Sequence, residues 1–229
     1  MVKENIRIWE SQAKKWNSLK LLYPDDYLIV KWLNKIKKSS KILDEGCGIG
    51  QFSITFAKKG HKVVGLDFSK TLIKTAKKNA KIFRCPCKFV VGDIRNLPFE
   101  NNIFDVVISA GIVEHVKETK KCIKEISRVL KKKGILIIHV PHKISLYTLN
   151  KLFQKLLGLW KSGYEKSFTK SYFEKLLKRN GFLIKKFNLK EIEEGSRFPL
   201  YTKILKILDA PFYQLGFGGH HMFFYCIKK

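Results

Sequence analysis

Lys41-Ile42-Leu43-Asp44-Glu45-Gly46-Cys47-Gly48-Ile49-Gly50 reads as a short apolar strand that runs into a glycine-rich turn. Ile49 to Lys59 beyond it reads as a helix stopped by Gly60. A strand, a glycine loop and a helix in that order form a nucleotide-type binding unit, because glycine allows the tight turn and the close approach of backbone to ligand.

Outward from this unit, strand-like and helix-like runs alternate. Lys62 to Leu66 is a strand, Ser69 caps a helix reaching about Ile82, and Lys88 to Val91 is a strand. Phe104 to Ser109 is a strand, Glu118 to Lys131 a helix, and Gly134 to Val140 a strand. Short continuous apolar strands separated by helices imply a parallel sheet covered on both faces, an α/β fold. After Pro141 the pattern changes. Tyr147 to Trp160 is strongly amphipathic, Thr169 to Arg179 reads as a helix, Gly181 to Ile184 leads into a strand, and Met222 to Ile227 is the last strand. Helices are also expected at Asn5 to Lys20, at Tyr27 to Lys37 after the start signal Pro24-Asp25-Asp26, and at Leu200 to Leu208. The chain therefore divides into a helical cap (1–38), a core (39–143) and a helical insert with closing strands (144–229), all in one domain.

The 229 residues carry 46 Lys and Arg against 19 Asp and Glu, a net charge of +27. Such a field attracts an anionic surface, membrane or RNA, or an acidic small molecule. The lysines are scattered rather than gathered in a tail, which suits solvated helix faces equally well. Five cysteines (Cys47, Cys85, Cys87, Cys122, Cys226) include no C-x-x-C pair, so neither a disulfide framework nor a metal site is expected. There is no run of about 20 apolar residues and no apolar signal core at Met1 to Asn5, so the expected location is cytoplasmic.

Carboxylates give the glycine loop its chemistry. Gln51 stands where a dinucleotide site places its third glycine, and Asp44 with Glu45 would repel a pyrophosphate. The same charges attract an ammonium or a sulfonium, both present in S-adenosylmethionine, so this cofactor is favoured over NAD. Asp67 ends the next strand about 20 residues on, the spacing at which a carboxylate accepts ribose hydroxyls. Asp93 ends the strand after that, placed to accept from an adenine amino group, with Phe68 and Ile94 covering the ring.

Ile42 to Gln51 resembles motif I of class I S-adenosylmethionine-dependent methyltransferases, and Val63 to Ser69 resembles the next motif. The run from Gly92-Asp93-Ile94 to Ser109 resembles the subgroup that holds quinone-biosynthesis and many small-molecule methyltransferases. Gly111-Ile112-Val113-Glu114-His115-Val116 and Arg128 to Ile138 continue the likeness. The resemblance is firm over about Ser39 to Val140 and loose beyond. It implies a Rossmann-like, doubly wound, seven-stranded, mostly parallel sheet with helices on both faces and the last strand antiparallel. It implies S-adenosyl-L-methionine as cofactor, S-adenosyl-L-homocysteine as product, and cofactor contacts from Asp44, Glu45, Gly46, Cys47, Gly48, Gly50, Asp67, Phe68, Asp93, Ile94 and Ser109.

A general base is needed only where the acceptor starts protonated. Candidates after the fourth and fifth strands are Glu114, His115, His139 and His142, with His115 and then His142 preferred; His220 and His221 suit packing better. Ser109-Ala110-Gly111-Ile112 replaces the Asn/Asp-Pro-Pro-Tyr/Phe of enzymes that methylate base amines or glutamine amides. The expected acceptor is a small or lipid-like molecule, methylated at O, N or C. The helix with Trp9 and Trp16 and the insert Tyr147 to Trp160 serve as a lid, as ordinary core or, for the insert, as a membrane-surface helix. The rival functions are an RNA or protein methyltransferase, a catalytically silent cofactor-binding subunit, and an NAD oxidoreductase.

Overall fold

In the computed structural model, residues 27–160, 163–190 and 219–229 are described. The helices expected at Asn5 to Lys20 and Leu200 to Leu208, and the start signal at Pro24, lie outside them.

Among the described residues, seven strands form one sheet: β1 (Lys41–Glu45), β2 (Lys62–Asp67), β3 (Lys88–Val91), β4 (Phe104–Ala110), β5 (Leu130–Pro141), β6 (Phe182–Lys190) and β7 (His221–Lys228). Their order is β3-β2-β1-β4-β5-β7-β6. β7 runs antiparallel to both neighbours, and the pairs from β3 to β5 are parallel. Phe104, Val106, Val107 and Ile108 of β4 are all fully buried, as a central strand covered on both faces requires.

One face of the sheet is covered by α4 (Thr119–Val129) and α6 (Lys170–Arg179), through Cys122, Ile123, Ile126, Phe173 and Leu177. The other is covered by α1 (Tyr27–Leu33) and α2 (Gln51–Lys58), through Ile29, Trp32, Leu33 and Phe56. Ile73, Ala76 and Ala80 of α3 (Lys70–Ile82) close a smaller cluster against Ile54 and Phe89. The capping serines and threonine do what their chemistry suggests: Ser69, Ser145 and Thr169 each accept a first-turn N–H, opening α3, α5 (Leu146–Leu156) and α6.

β5 starts four residues earlier than its sequence pattern implies. Leu130 pairs with Phe104 and Ile135 with Val106, so residues 131–134 bulge from the ladder, with Lys133 at φ 62°. Three exposed lysines on the bulge masked the strand's first residue. No helix among the described residues is long and apolar enough to cross a membrane.

Candidate functional site

The winding of the sheet reverses between β1 and β4, so the loops after these strands part and leave a crevice at their carboxyl ends. The glycine loop occupies one wall. Gly46, Gly48 and Gly50 all take positive φ (69°, 53° and 88°). Gly46 has a second constraint: a Cβ there would lie 2.3 Å from Cδ1 of Ile112, which arrives from the β4 side. The bare backbone thus forms a cradle that one methyl group would fill.

Two carboxylates hold this loop in place. Cys47 N–H donates to the Leu66 carbonyl at 2.9 Å and Gly48 N–H to Asp67 Oδ2 at 3.0 Å. Asp67 Oδ1 accepts from Ser69 N–H at 2.9 Å. Burial holds the Asp67 carboxyl above its usual range, opposed by these N–H bonds. Asp44 Oδ2 accepts from both the N–H and the hydroxyl of Ser53, at 3.0 and 2.6 Å, which ties the end of β1 to the first turn of α2. Burial pushes Asp44 up to about 6 despite these bonds.

Glu45 points to the opposite face, beside Ser109, its register partner on β4. It is 1% exposed, and neither carboxyl oxygen has a hydrogen-bond partner among the described residues. Burial pushes it up to about 8, with the Ser109 hydroxyl that faces it opposing the rise. Of the two carboxylates before the loop, Asp44 is thus committed to α2, and Glu45 is held in reserve beside the crevice. Asp93 at the third strand end takes Arg95 in a two-pronged contact, Nε at 3.0 and 2.9 Å and a guanidinium NH2 at 2.6 Å. Arg95 holds its carboxyl below the usual range. Phe68, just past the end of β2, stands 40% exposed, an open apolar face, and Ile94 is buried.

A second set of polar groups gathers past the ends of β4 and β5. Gly111, at φ 71°, brings the chain past His139, whose Cε1 lies 3.3 Å from where a Cβ would stand; Glu114 Oε1 lies at 3.6 Å. Glu114 is 2% exposed, and burial pushes it up to about 8. His139 is half-buried with Nδ1 shut away from solvent, stacked on Phe223 at 4.8 Å and edge-on to His221 at 5.3 Å. Burial drives its imidazole down to about 4, so it is neutral at ordinary pH. His115 places Nδ1 3.0 Å from the Tyr164 carbonyl. A carbonyl only accepts, so Nδ1 carries the proton and the lone pair sits on Nε2. Burial lowers its pKa as well. His142 is buried, and its carbonyl accepts from the hydroxyls of Ser145 and Thr148 at the start of α5.

Roofing this end, α5 turns Thr148 and Lys151 inward. Lys151 Nζ donates to Glu165 Oε1 at 2.9 Å and to the Ser167 hydroxyl, and Tyr147 OH reaches Glu165 at 3.3 Å. None of these was singled out as a site residue from sequence. The available signal was Lys151 and Thr148 three residues apart on the polar stripe of an otherwise apolar helix.

The loop, the carboxylates at two further strand ends and the exposed ring of Phe68 match a ligand with a cationic amino acid end, a ribose and a planar base. The methyltransferase domain family matches residues 36–194, and the chain belongs to that family. The cofactor is S-adenosylmethionine. The chain is 33% identical over 144 residues to a ubiquinone biosynthesis O-methyltransferase of Pelagibacter ubique, covering 59% of this chain and 60% of that protein. It is 36% identical over 112 residues to a demethylmenaquinone methyltransferase of Staphylococcus saprophyticus, covering 48% and 47%. The matches thus span about half to three-fifths of these relatives. A solved Pyrococcus horikoshii structure shares the fold with a TM-score of 0.67 at 24% identity, over 93% of both chains.

Proposed function

We propose that this protein transfers a methyl group from S-adenosylmethionine to an oxygen of a small, lipid-like acceptor of the hydroxylated quinone-precursor type, from the cytoplasmic side. The observation that carries it is the pairing of the glycine cradle, closed by Ile112, with Glu114 and His139, which meet at the adjoining Gly111, three residues before Glu114 and four before His115.

S-adenosylmethionine supplies an electrophilic methyl group on a sulfonium. The chain's own residues do the rest. The glycine loop would give the cofactor room to approach the backbone, Asp67 would accept from its ribose, and Phe68 would cover its base. Glu45, buried beside Ser109, would meet the cationic end on giving up its proton. His115 Nε2 takes the proton from the acceptor hydroxyl, and the Tyr164 carbonyl keeps its ring in the productive tautomer. His139 orients the acceptor from β5. Holding nucleophile and methyl in line supplies much of the acceleration. The methyl acceptors of the two quinone-pathway relatives support the acceptor class, and the basic charge adds attraction to an anionic surface.

Incubation with labelled S-adenosylmethionine and detergent-dispersed catechol-type quinone precursors tests this. Label in the acceptor, lost in Asp67→Ala, supports it. Cofactor binding by calorimetry with no transfer to any hydroxylated ring, amine or carbon acceptor favours a catalytically silent subunit instead.

A further inference from the structure

α5 is built inside out. A helix on a water-facing surface turns its apolar stripe to the core and its charges to solvent. Here Thr148 and Lys151 are buried, at 8% and 4% exposure, while Leu149, Leu152, Phe153 and Leu156 stand 53–86% exposed. Ile144 before the helix and Leu157 and Leu159 after it are exposed too. Of the twelve large apolar side chains exposed among the described residues, seven lie in this segment of sixteen residues. The inward charge is satisfied by Glu165, so the orientation is held by a buried ion pair rather than by chance rotation of the helix. Contiguous apolar surface of this kind marks an interaction site.

Charge identifies the occupant. Lys143 and Lys155 are exposed in the same segment as the apolar face, and Lys166 is exposed on the loop that follows. No acidic residue occurs between Glu125 and Glu165, so nothing in the segment repels an anionic partner. A second copy of the chain would bring the same lysines against themselves. Apolar leucines and a phenylalanine in a segment with exposed lysines, on a helix too short to span, describe an element that lies in the plane of a lipid interface. We infer that α5 and its flanks dock the protein on an anionic lipid bilayer, with Leu149, Leu152, Phe153 and Leu156 entering the acyl boundary. The inward polar face then roofs the acceptor end of the crevice. A lipid-like acceptor can present its polar ring beneath α5 while its tail stays in the bilayer. That last step rests on the function proposed above, whereas the docking itself does not.

Co-sedimentation of the full chain with phosphatidylglycerol and with phosphatidylcholine vesicles tests it without reading methyl transfer. The expected result is binding to the former, reduced at least tenfold in Leu152→Glu/Leu156→Glu, with cofactor affinity unchanged. Leu156→Glu alone, at a side chain 86% exposed, controls for misfolding and is expected to weaken binding severalfold. Vesicle binding equal in wild type and both variants overturns the inference, since lysines alone then explain it. So does absence of vesicle binding, with retention of a structured RNA or formation of a dimer instead. Failure here leaves the chemistry standing, and vesicle binding without methyl transfer sinks only the chemistry.

Discussion

Lys151 and Glu165 form an ion pair at 2.9 Å with their side chains only 4% and 7% exposed. The pair joins the roof helix to the loop that follows it. Removing one partner leaves the other charged and buried, which costs about 3–5 kcal/mol. Lys151→Met is expected to destabilise the protein by that order in urea unfolding. Lys151→Met/Glu165→Leu is expected to recover most of the loss, because two apolar groups leave no stranded charge.

The Gly46 cradle predicts a sharp penalty for one methyl group. Gly46→Ala places alanine at φ 69° with its Cβ 2.3 Å from Ile112 Cδ1. Backbone strain of this kind costs about 1–3 kcal/mol, and the displaced loop loses its grip on the cofactor. Calorimetric titration should show S-adenosylmethionine affinity falling at least tenfold. Adding Ile112→Ala relieves the contact but not the strain, so recovery is expected to be partial.

Glu45 predicts a pH dependence of stability. Its carboxyl rises from 4.5 to about 8 on folding because it is buried. Between these values the folded state holds a proton that the unfolded chain has released, so stability falls as pH rises. The contribution is full below about pH 4.5 and lost by about pH 8 and above. Glu45→Gln removes that titration while keeping the shape. The variant should match wild type near pH 4.5 and exceed it by several kcal/mol near pH 8.5, measured by denaturant unfolding. Equal stability at both ends would show that Glu45 ionises normally in the folded protein.

His115 predicts the pH profile of transfer. As a base it works only when neutral, and burial lowers its pKa below 6.5. Activity on a hydroxyl acceptor is expected to hold through neutral pH and to fall on the acid side, with its inflection below 6.5. His115→Ala should reduce turnover by roughly 10²–10⁴ while leaving cofactor affinity unchanged. An acid limb that persists in the variant would move the role to another group.

Much of this molecule was legible in its residues, and the remainder shows what linear sequence leaves out. The central strands announce themselves through unbroken apolar runs, and the Asp44 to Gly50 turn marks the crevice. Pairings across the fold are less visible. Nothing near Asp44 says that its oxygen is taken by Ser53 rather than by a ligand, or that Arg95 holds Asp93 in a two-pronged contact. The amphipathic pattern of Tyr147 to Trp160 reveals two faces but not which one is inward. That depends on Glu165, fourteen residues beyond Lys151 in a connecting loop. The start of β5 was hidden because bulged lysines at 131–133 interrupt an otherwise apolar strand.

The place of β7 between β5 and β6 bears on how the chain acquires its shape. Among the described residues, β6 has no neighbour in the sheet other than β7. Residues 182–190 therefore leave the ribosome with no ladder to join, and wait until residues 221–228 have been made. The half of the sheet that carries the glycine cradle has no such dependence. During synthesis the nucleotide-facing half can assemble first, while the half bearing His139 and His221 closes only when one late segment slides between two earlier ones. Contacts of such long sequence separation slow folding. The intermediate would expose an apolar β5 edge, which makes this step the one at which a nascent chain is most exposed to aggregation.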